Sequence, residues 1–142
     1  MSVDPSPLTD DDLELLRRPL YGFFSAAAAP SPPQPRPVWY EVTPAGEIQL
    51  FTGPDAVKVR RLARDPRASL VVAAPAGERE RWVSVTGRTT VAADGGPDLV
   101  TRLARRYWNL DDPVRARDLE DLLAESWVRI VLHPDRVARY RM

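Results

Sequence analysis

Lys58 and Arg61 stand three residues apart in the run Val57-Lys58-Val59-Arg60-Arg61-Leu62-Ala63-Arg64, just past the break Gly53-Pro54-Asp55. Read as a helix, that spacing sets both cations on one face, near the positive end of the helix dipole. Pro54 suits the first helical position, because the N–H it lacks has no use inside the helix. Backbone amides and cations converging on the end of the preceding strand make a place for an anion, most economically a phosphate. Arg60 and Arg64, four residues apart, fall on the exposed side. The competing reading of all four cations is a solvated helix face.

Other residues offer less. Arg36 lies in a proline-rich turn, where a guanidinium either meets a phosphate or carboxylate bidentately or is simply exposed. Trp39 and Tyr40 point to opposite sides of a strand, and Trp39 is assigned to core packing. Arg88, on a long strand, either reaches toward a site from a second copy of the chain or faces solvent. Trp108 ends a helix and is read as packing, its other reading being a cover for the mouth of a site. His133 is the sole histidine and Cys is absent, so no ordinary zinc site is expected. No partner for a Ser/His/Asp arrangement is evident near His133, which is read as structural. The Asp10–Asp12 and Asp111-Asp112 clusters read as helix caps, so no catalytic residue is assigned.

The elements that must position these groups follow from periodicity. Thr9 before three aspartates is a helix start, with Leu13, Leu15 and Leu16 as its apolar stripe. Residues 21–29 read as a strand. Five prolines between 30 and 37 forbid helix and lead into an edge-like strand. A strand over 38–43, a turn at Pro44-Ala45-Gly46 and a returning strand over 47–52 form a hairpin. The basic helix leads to a strand over 68–74. Residues 81–92 give the longest strand pattern, in which Gly87 marks a bulge or a close backbone approach. A helix starts at Asp94-Gly95-Gly96-Pro97 and presents Leu99, Val100, Leu103 and Ala104. A short helix is placed from Asp118, a strand over 127–133, and a last short strand over 136–141. Six strands with three or four helices, many joined by hairpins, predict α+β with a curled antiparallel sheet.

A chain of 142 residues fits one domain, read as 9–142 behind a loose tail at 1–8. Twenty acidic and twenty basic side chains cancel, so no overall field recruits nucleic acid. Acidic residues precede any apolar run, which argues against a signal peptide, and no apolar window spans a bilayer. A cytoplasmic protein without a membrane partner is expected.

The segments Pro33-Gln34-Pro35-Arg36-Pro37-Val38-Trp39-Tyr40, Leu50-Phe51-Thr52 and Val57 to Arg67, then Trp82 to Arg88 and Val128-Arg129-Ile130 with His133-Pro134-Asp135-Arg136-Val137, together resemble one family. They look like the pyridoxamine 5'-phosphate oxidase-like split-barrel proteins, in the branch of flavin/deazaflavin oxidoreductases, group B. The resemblance implies a six-stranded split β-barrel that forms a homodimer, with a cofactor site at the interface. It implies F420 or FMN as cofactor, F420 slightly favoured, acting on a small-molecule substrate. Thr52 and Lys58 map onto the phosphate-holding positions, with Arg61 in support. Arg36, Val38 and Trp39 map onto the segment lining the ring, and Arg88 onto the long strand.

Two positions depart from that family. Val57 stands where a basic residue often precedes the helix Lys, and Pro35 replaces a β-branched residue before Arg36. The first weakens the phosphate cradle. Both keep a second reading open: a non-catalytic flavin/deazaflavin carrier, or a degenerate member with an empty groove.

Overall fold

The computed structural model describes residues 7–28 and 31–142. The elements in chain order are α1 (Asp10–Leu16), β1 (Gly22–Ala26), β2 (Arg36–Val38), β3 (Glu41–Val42), β4 (Ile48–Thr52), α2 (Val57–Arg64), β5 (Arg67–Ala73), β6 (Arg81–Ala92), α3 (Gly96–Tyr107), α4 (Pro113–Leu123) and β7 (Val128–Arg141). One antiparallel seven-stranded sheet has the order β2-β1-β5-β6-β7-β4-β3. The sheet has seven strands where about six were expected; the strand expected over 38–43 is broken at Trp39-Tyr40, with β2 and β3 on either side.

That break explains the curl. β2 and β3 are the two outer edges of the sheet, yet only Trp39 and Tyr40 separate them in the chain. Three Cα steps span at most about 11 Å, whereas six strand spacings in a flat sheet would cover about 29 Å. The sheet must therefore roll until its edges nearly meet, leaving a split bridged by these two residues. Tyr40 is fully buried at that split, and Leu15, Leu16, Phe24, Ile48, Leu50, Leu70, Val72, Val85, Ile130 and Leu132 fill the inside of the roll.

The interior row of β4 and β7 alternates with a second buried row. Leu99, Val100, Leu103 and Ala104 of α3 are buried against the outside of these strands, covering Gln49 and Val131 there. Gln49 is satisfied, because its Oε1 accepts from Arg129 Nη1 at 2.8 Å. α1 closes another side. Its Thr9 hydroxyl accepts from the Asp12 N–H at 3.1 Å, the cap expected at Thr9, and the Asp12 carboxylate accepts from the Thr9 N–H at 2.8 Å, which completes a reciprocal capping box.

β6 spans the residues expected of it, and Gly87 answers to both readings of its position. The register slips between Thr86 and Gly87, leaving Asp135 as the extra residue of β7. A Cβ at Gly87 would meet the His133 carbonyl oxygen at 1.8 Å. This bulge is also why Pro134 ends nothing: a bulge tolerates a residue with no N–H to give. The two short strands expected at the C-terminus are thus one continuous β7. Val83 and Val85 are buried, whereas Val91 is 41% exposed, since β6 has run past the core by then.

Three further corrections concern helices and His133. α2 starts at Val57 from an Ala56 cap, because Gly53-Pro54-Asp55 forms a turn closed by the Ala56 N–H on the Gly53 carbonyl at 3.1 Å. Pro54 is therefore in the turn and not in the first helical position. α4 begins at Pro113, five residues before the expected Asp118, with Asp112 as N-cap accepting from the Val114 N–H at 2.9 Å. His133, for which the sequence suggested no partner, has two: Glu47 Oε2 lies 2.8 Å from Nδ1 and Thr90 Oγ1 lies 3.1 Å from Nε2.

Candidate functional site

A cleft of about 320 Å³ opens beside the split and is lined by Pro37, Val38, Trp39, Phe51, Lys58, Trp108 and Leu122. Its position follows from the strand break. Leaving the ladder after Val38 frees Trp39 from sheet alternation, so Tyr40 takes the core place and Trp39 stands half-exposed in the cleft. The core assignment of Trp39 is thereby overturned; its neighbour is the core residue.

Trp39 is fixed on three sides. Its ring stacks on Tyr107 at 5.1 Å with planes 4° apart, meets Trp108 edge-on at 4.8 Å, and meets Phe51 at 6.3 Å. Each such pair adds about 0.5–1.5 kcal/mol beyond area burial. Tyr107 is itself anchored, its hydroxyl donating to the Leu20 carbonyl at 2.7 Å. Beside it Arg106 donates to the carbonyls of Leu16, Arg17 and Arg18 at 3.0, 2.8 and 2.6 Å, closing the negative end of α1. The Arg106 guanidinium also covers the Tyr40 ring at 5.3 Å. Burial of the Tyr40 hydroxyl pushes its pKa well above the usual tyrosine value, so it stays neutral. The result is a rigid, flat aromatic wall.

Phe51 forms the second wall, edge-on to Trp127 at 5.0 Å. Trp127 Nε1 donates to the Leu122 carbonyl at 2.6 Å, tying the end of α4 over the cleft. Leu122 and Trp108 also border an adjoining, more open hollow with Asp118, Asp121 and Glu125. The mouth is therefore acidic on the α4 side and basic on the α2 side.

Lys58 supplies the basic side. It is half-buried near the start of α2, with Nζ 5.6 Å from the centroid of the Phe24 ring. Burial first, and the nearby Arg36 charge second, hold its pKa below the usual lysine value. Among the described residues no carboxylate pairs with it. Buried ammonium groups are normally paired, so an unpaired one beside a second cation is suited to an incoming anion.

Of the seven residues singled out from sequence, Val38, Trp39 and Lys58 line this cleft, and Arg36 acts on Lys58 through its charge while donating to Gln34 at 2.9 Å. Thr52 does not line it; it is 8% exposed at the end of β4, on the inward row with Ile48 and Leu50. Arg61 is half-buried one turn beyond Lys58, outside the lining. Arg88 lies elsewhere on the same protomer, paired across β5 and β6 with Arg67, which borders a separate hollow with Ser25, Ser69 and Thr86. Phe51 and Leu122 were not picked out as site residues, whereas Pro37 belongs to the segment Arg36-Pro37-Val38-Trp39 that the resemblance placed along the ring. Phe51 was legible as the outward neighbour of Thr52, whereas nothing local to Leu122 told that α4 reaches this mouth.

The family profile of the pyridoxamine 5'-phosphate oxidases matches residues 8–137, and the chain belongs to that family. Solved structures with the same split-barrel fold include an F420 reductase, 22% identical, with 92% of this chain and 98% of that one aligned and a TM-score of 0.71. An FAD-binding protein from Mesorhizobium loti is 20% identical, with 93% and 92% aligned and a TM-score of 0.63. The haem storage protein HutZ from Vibrio cholerae is 11% identical, with 99% and 95% aligned and a TM-score of 0.65. None of the curated proteins matches the chain. No helix among the described residues is long and apolar enough to cross a membrane.

Proposed function

We propose that this chain is a cytoplasmic oxidoreductase that holds F420, or in second place FMN, in the Lys58 cleft and passes a hydride to or from a small organic substrate. The observation that supports this most is a half-buried ammonium with no carboxylate partner among the described residues, beside Arg36, at the end of an aromatic-walled cleft. A phosphate would compensate the cation and a flat ring would match the wall. Such a ring, when bound, supplies the redox chemistry, and the protein supplies binding and orientation.

Lys58 would hold the phosphate with Arg36 in support, while Arg61, one turn on, and Thr52, on the inward row of β4, stand back from the lining. Val38 and the braced Trp39 would border the ring, while Trp108 and Leu122 exclude water from its outer side. Lys58 is the one ionisable side chain of the lining, so the residues present orient and bind and do not transfer protons. The further arginines of α2 favour F420 with its polyanionic tail. A homodimer would enlarge the cleft and bring Arg88 from the second copy. Exposed aromatic residues on the outer sheet face support that pairing: Trp82 and Tyr140, stacked at 6.2 Å, together with Phe23.

The same lack of a proton-transferring group favours one second reading, a non-catalytic flavin or deazaflavin carrier. Fluorescence titration of the purified protein with F420 and with FMN, followed by hydride transfer from a reduced partner, decides. Binding with turnover is expected. Binding without turnover assigns the carrier, and failure to bind either cofactor overturns both. Lys58→Ala should weaken the phosphate-bearing cofactor by about 1.5–3 kcal/mol, as for a hydrogen bond to a charged group.

A further inference from the structure

Glu47, just ahead of β4, comes together with His133 of β7 and Thr90 of β6. Glu47 Oε2 is 2.8 Å from His133 Nδ1, and His133 Nε2 is 3.1 Å from Thr90 Oγ1. The order carboxylate, imidazole, hydroxyl fixes the protons. An ionised carboxylate only accepts, so Nδ1 carries the ring hydrogen. In the neutral ring Nε2 is then an acceptor, and the Thr90 hydroxyl donates to it. The hydroxyl is exposed and the ring half-exposed, so a reactant can approach. A nucleophile within reach of a base that a third group orients is the arrangement by which hydroxyls are activated for acyl transfer.

We propose that Thr90, His133 and Glu47 form an acyl-accepting site for small activated esters. Thr90 Oγ1 bonds to the carbonyl carbon, its proton passes to His133 Nε2, and the bond to the leaving oxygen breaks with the electron pair going to that oxygen. Glu47 holds the ring and stabilises the imidazolium. His133 then gives that proton to the leaving oxygen. Water attacks the acyl carbon and gives a proton to His133 Nε2, and His133 returns it to Oγ1 as the bond to the acyl carbon breaks, restoring the hydroxyl. Arg88 stands two residues before Thr90 on the same outward row of β6, about 6.8 Å along the strand. Its guanidinium is thus within side-chain reach of the oxyanion. Gly87 and the bulge at Pro134 give His133 its place on this face.

Thr90, His133 and Glu47 all lie outside the lining of the cleft around Lys58, so the nucleophile, base and orienting group stand or fall without the cofactor assignment. The test is incubation of the full chain with p-nitrophenyl acetate, following nitrophenolate release and locating acetyl groups by peptide mass spectrometry. Acetyl on the hydroxyl at position 90 is expected, retained in Thr90→Ser and lost in Thr90→Val. His133→Asn should slow acetylation at that position about 100-fold or more, the scale of lost general-base catalysis. Glu47→Gln should slow it less, and it serves as the second variant where His133→Asn fails to fold. Acetyl found only on amines or on His133, or a rate at position 90 that is unchanged in both His133→Asn and Glu47→Gln, overturns the proposal.

Discussion

Trp39 and Tyr107 lie face to face, 5.1 Å between ring centroids and 4° from parallel, so the end of α3 sets the plane of the cleft wall. The two residues belong to elements far apart in the chain, and the Tyr107 hydroxyl is pinned in turn to Leu20 ahead of β1. Tyr107→Phe keeps the stack and removes the bond, costing about 0.5–1.5 kcal/mol of stability with little change in the cleft. Tyr107→Leu removes the stack as well. Urea unfolding and near-ultraviolet circular dichroism should show both losses, and only the leucine variant should lose the tryptophan dichroic signal and weaken F420 binding.

Lys58 should stabilise a bound anion while destabilising the empty fold. Its pKa lies below the usual 10.5, burial being the larger cause and Arg36 the second. Between that depressed value and 10.5 the unfolded chain binds more protons than the folded one, so stability rises with pH across this window. Lys58→Met should abolish that rise. It should also add about 0.5–2 kcal/mol at neutral pH, the usual gain when a strained functional residue is relieved. Urea midpoints at neutral and alkaline pH, set beside cofactor titrations, check both halves. A variant no more stable than the parent would mean that Lys58 is well compensated in the fold.

How far the sequence reaches can be seen at individual residues. The N-cap at Thr9, the hairpin at Gly46 with its φ of 83°, and the limits of β6 were legible because each is specified within a few neighbours. The break at Trp39-Tyr40 was not, since residues 38–43 are mostly the β-branched and aromatic types that strands favour. Only the need to join two distant sheet edges interrupts them. That one nonlocal constraint decided which of Trp39 and Tyr40 is buried. It also decided where the cleft lies.

The start of α4 could have been read, because Asp112 followed by Pro113 is an N-cap with proline at the first helical position. The reach of Leu122 over the cleft could not, being set by how α4 folds back through the Trp127 bond. In the same way the partners of His133 come from strands paired on either side of β7, which no spacing along the chain reveals. Lys58 was visible in advance because it follows the Thr52-Gly53-Pro54 entry in the register that the family resemblance implies. Its missing counter-charge became visible only in three dimensions.

Gly87 is the one position of β6 where a side chain has nowhere to go. An added Cβ would sit 1.8 Å from the His133 carbonyl oxygen, which belongs to backbone held in the β7 ladder. Gly87→Ala should therefore cost about 1–3 kcal/mol or more, the overpacking range, and shift His133 relative to Thr90. A fall in the urea midpoint, with displaced His133 ring resonances by NMR, is the expected outcome. An unchanged midpoint would mean the bulge yields freely.

Asp12 ties the N-terminal helix to the far end of β7, and its contribution should fade in acid. The carboxylate is 2% exposed, with Oδ1 accepting from Arg139 Nε at 3.0 Å and Oδ2 from Arg139 Nη2 and the Thr9 N–H, both at 2.8 Å. Burial alone would raise its pKa, but the bonds from Arg139 and Thr9 outweigh that and hold it below the usual 3.8. The folded chain thus binds fewer protons here than the unfolded one. The associated stability is complete above the ordinary carboxylate value and is lost as pH falls through the depressed one. Asp12→Ala should cost about 1.5–3 kcal/mol at neutral pH, as for hydrogen bonds to a charged group. Urea midpoints of parent and variant should converge as pH is taken below 3.8. A gap that stayed constant down to that pH would mean the aspartate acts through packing and the helix cap, with its charge contributing nothing.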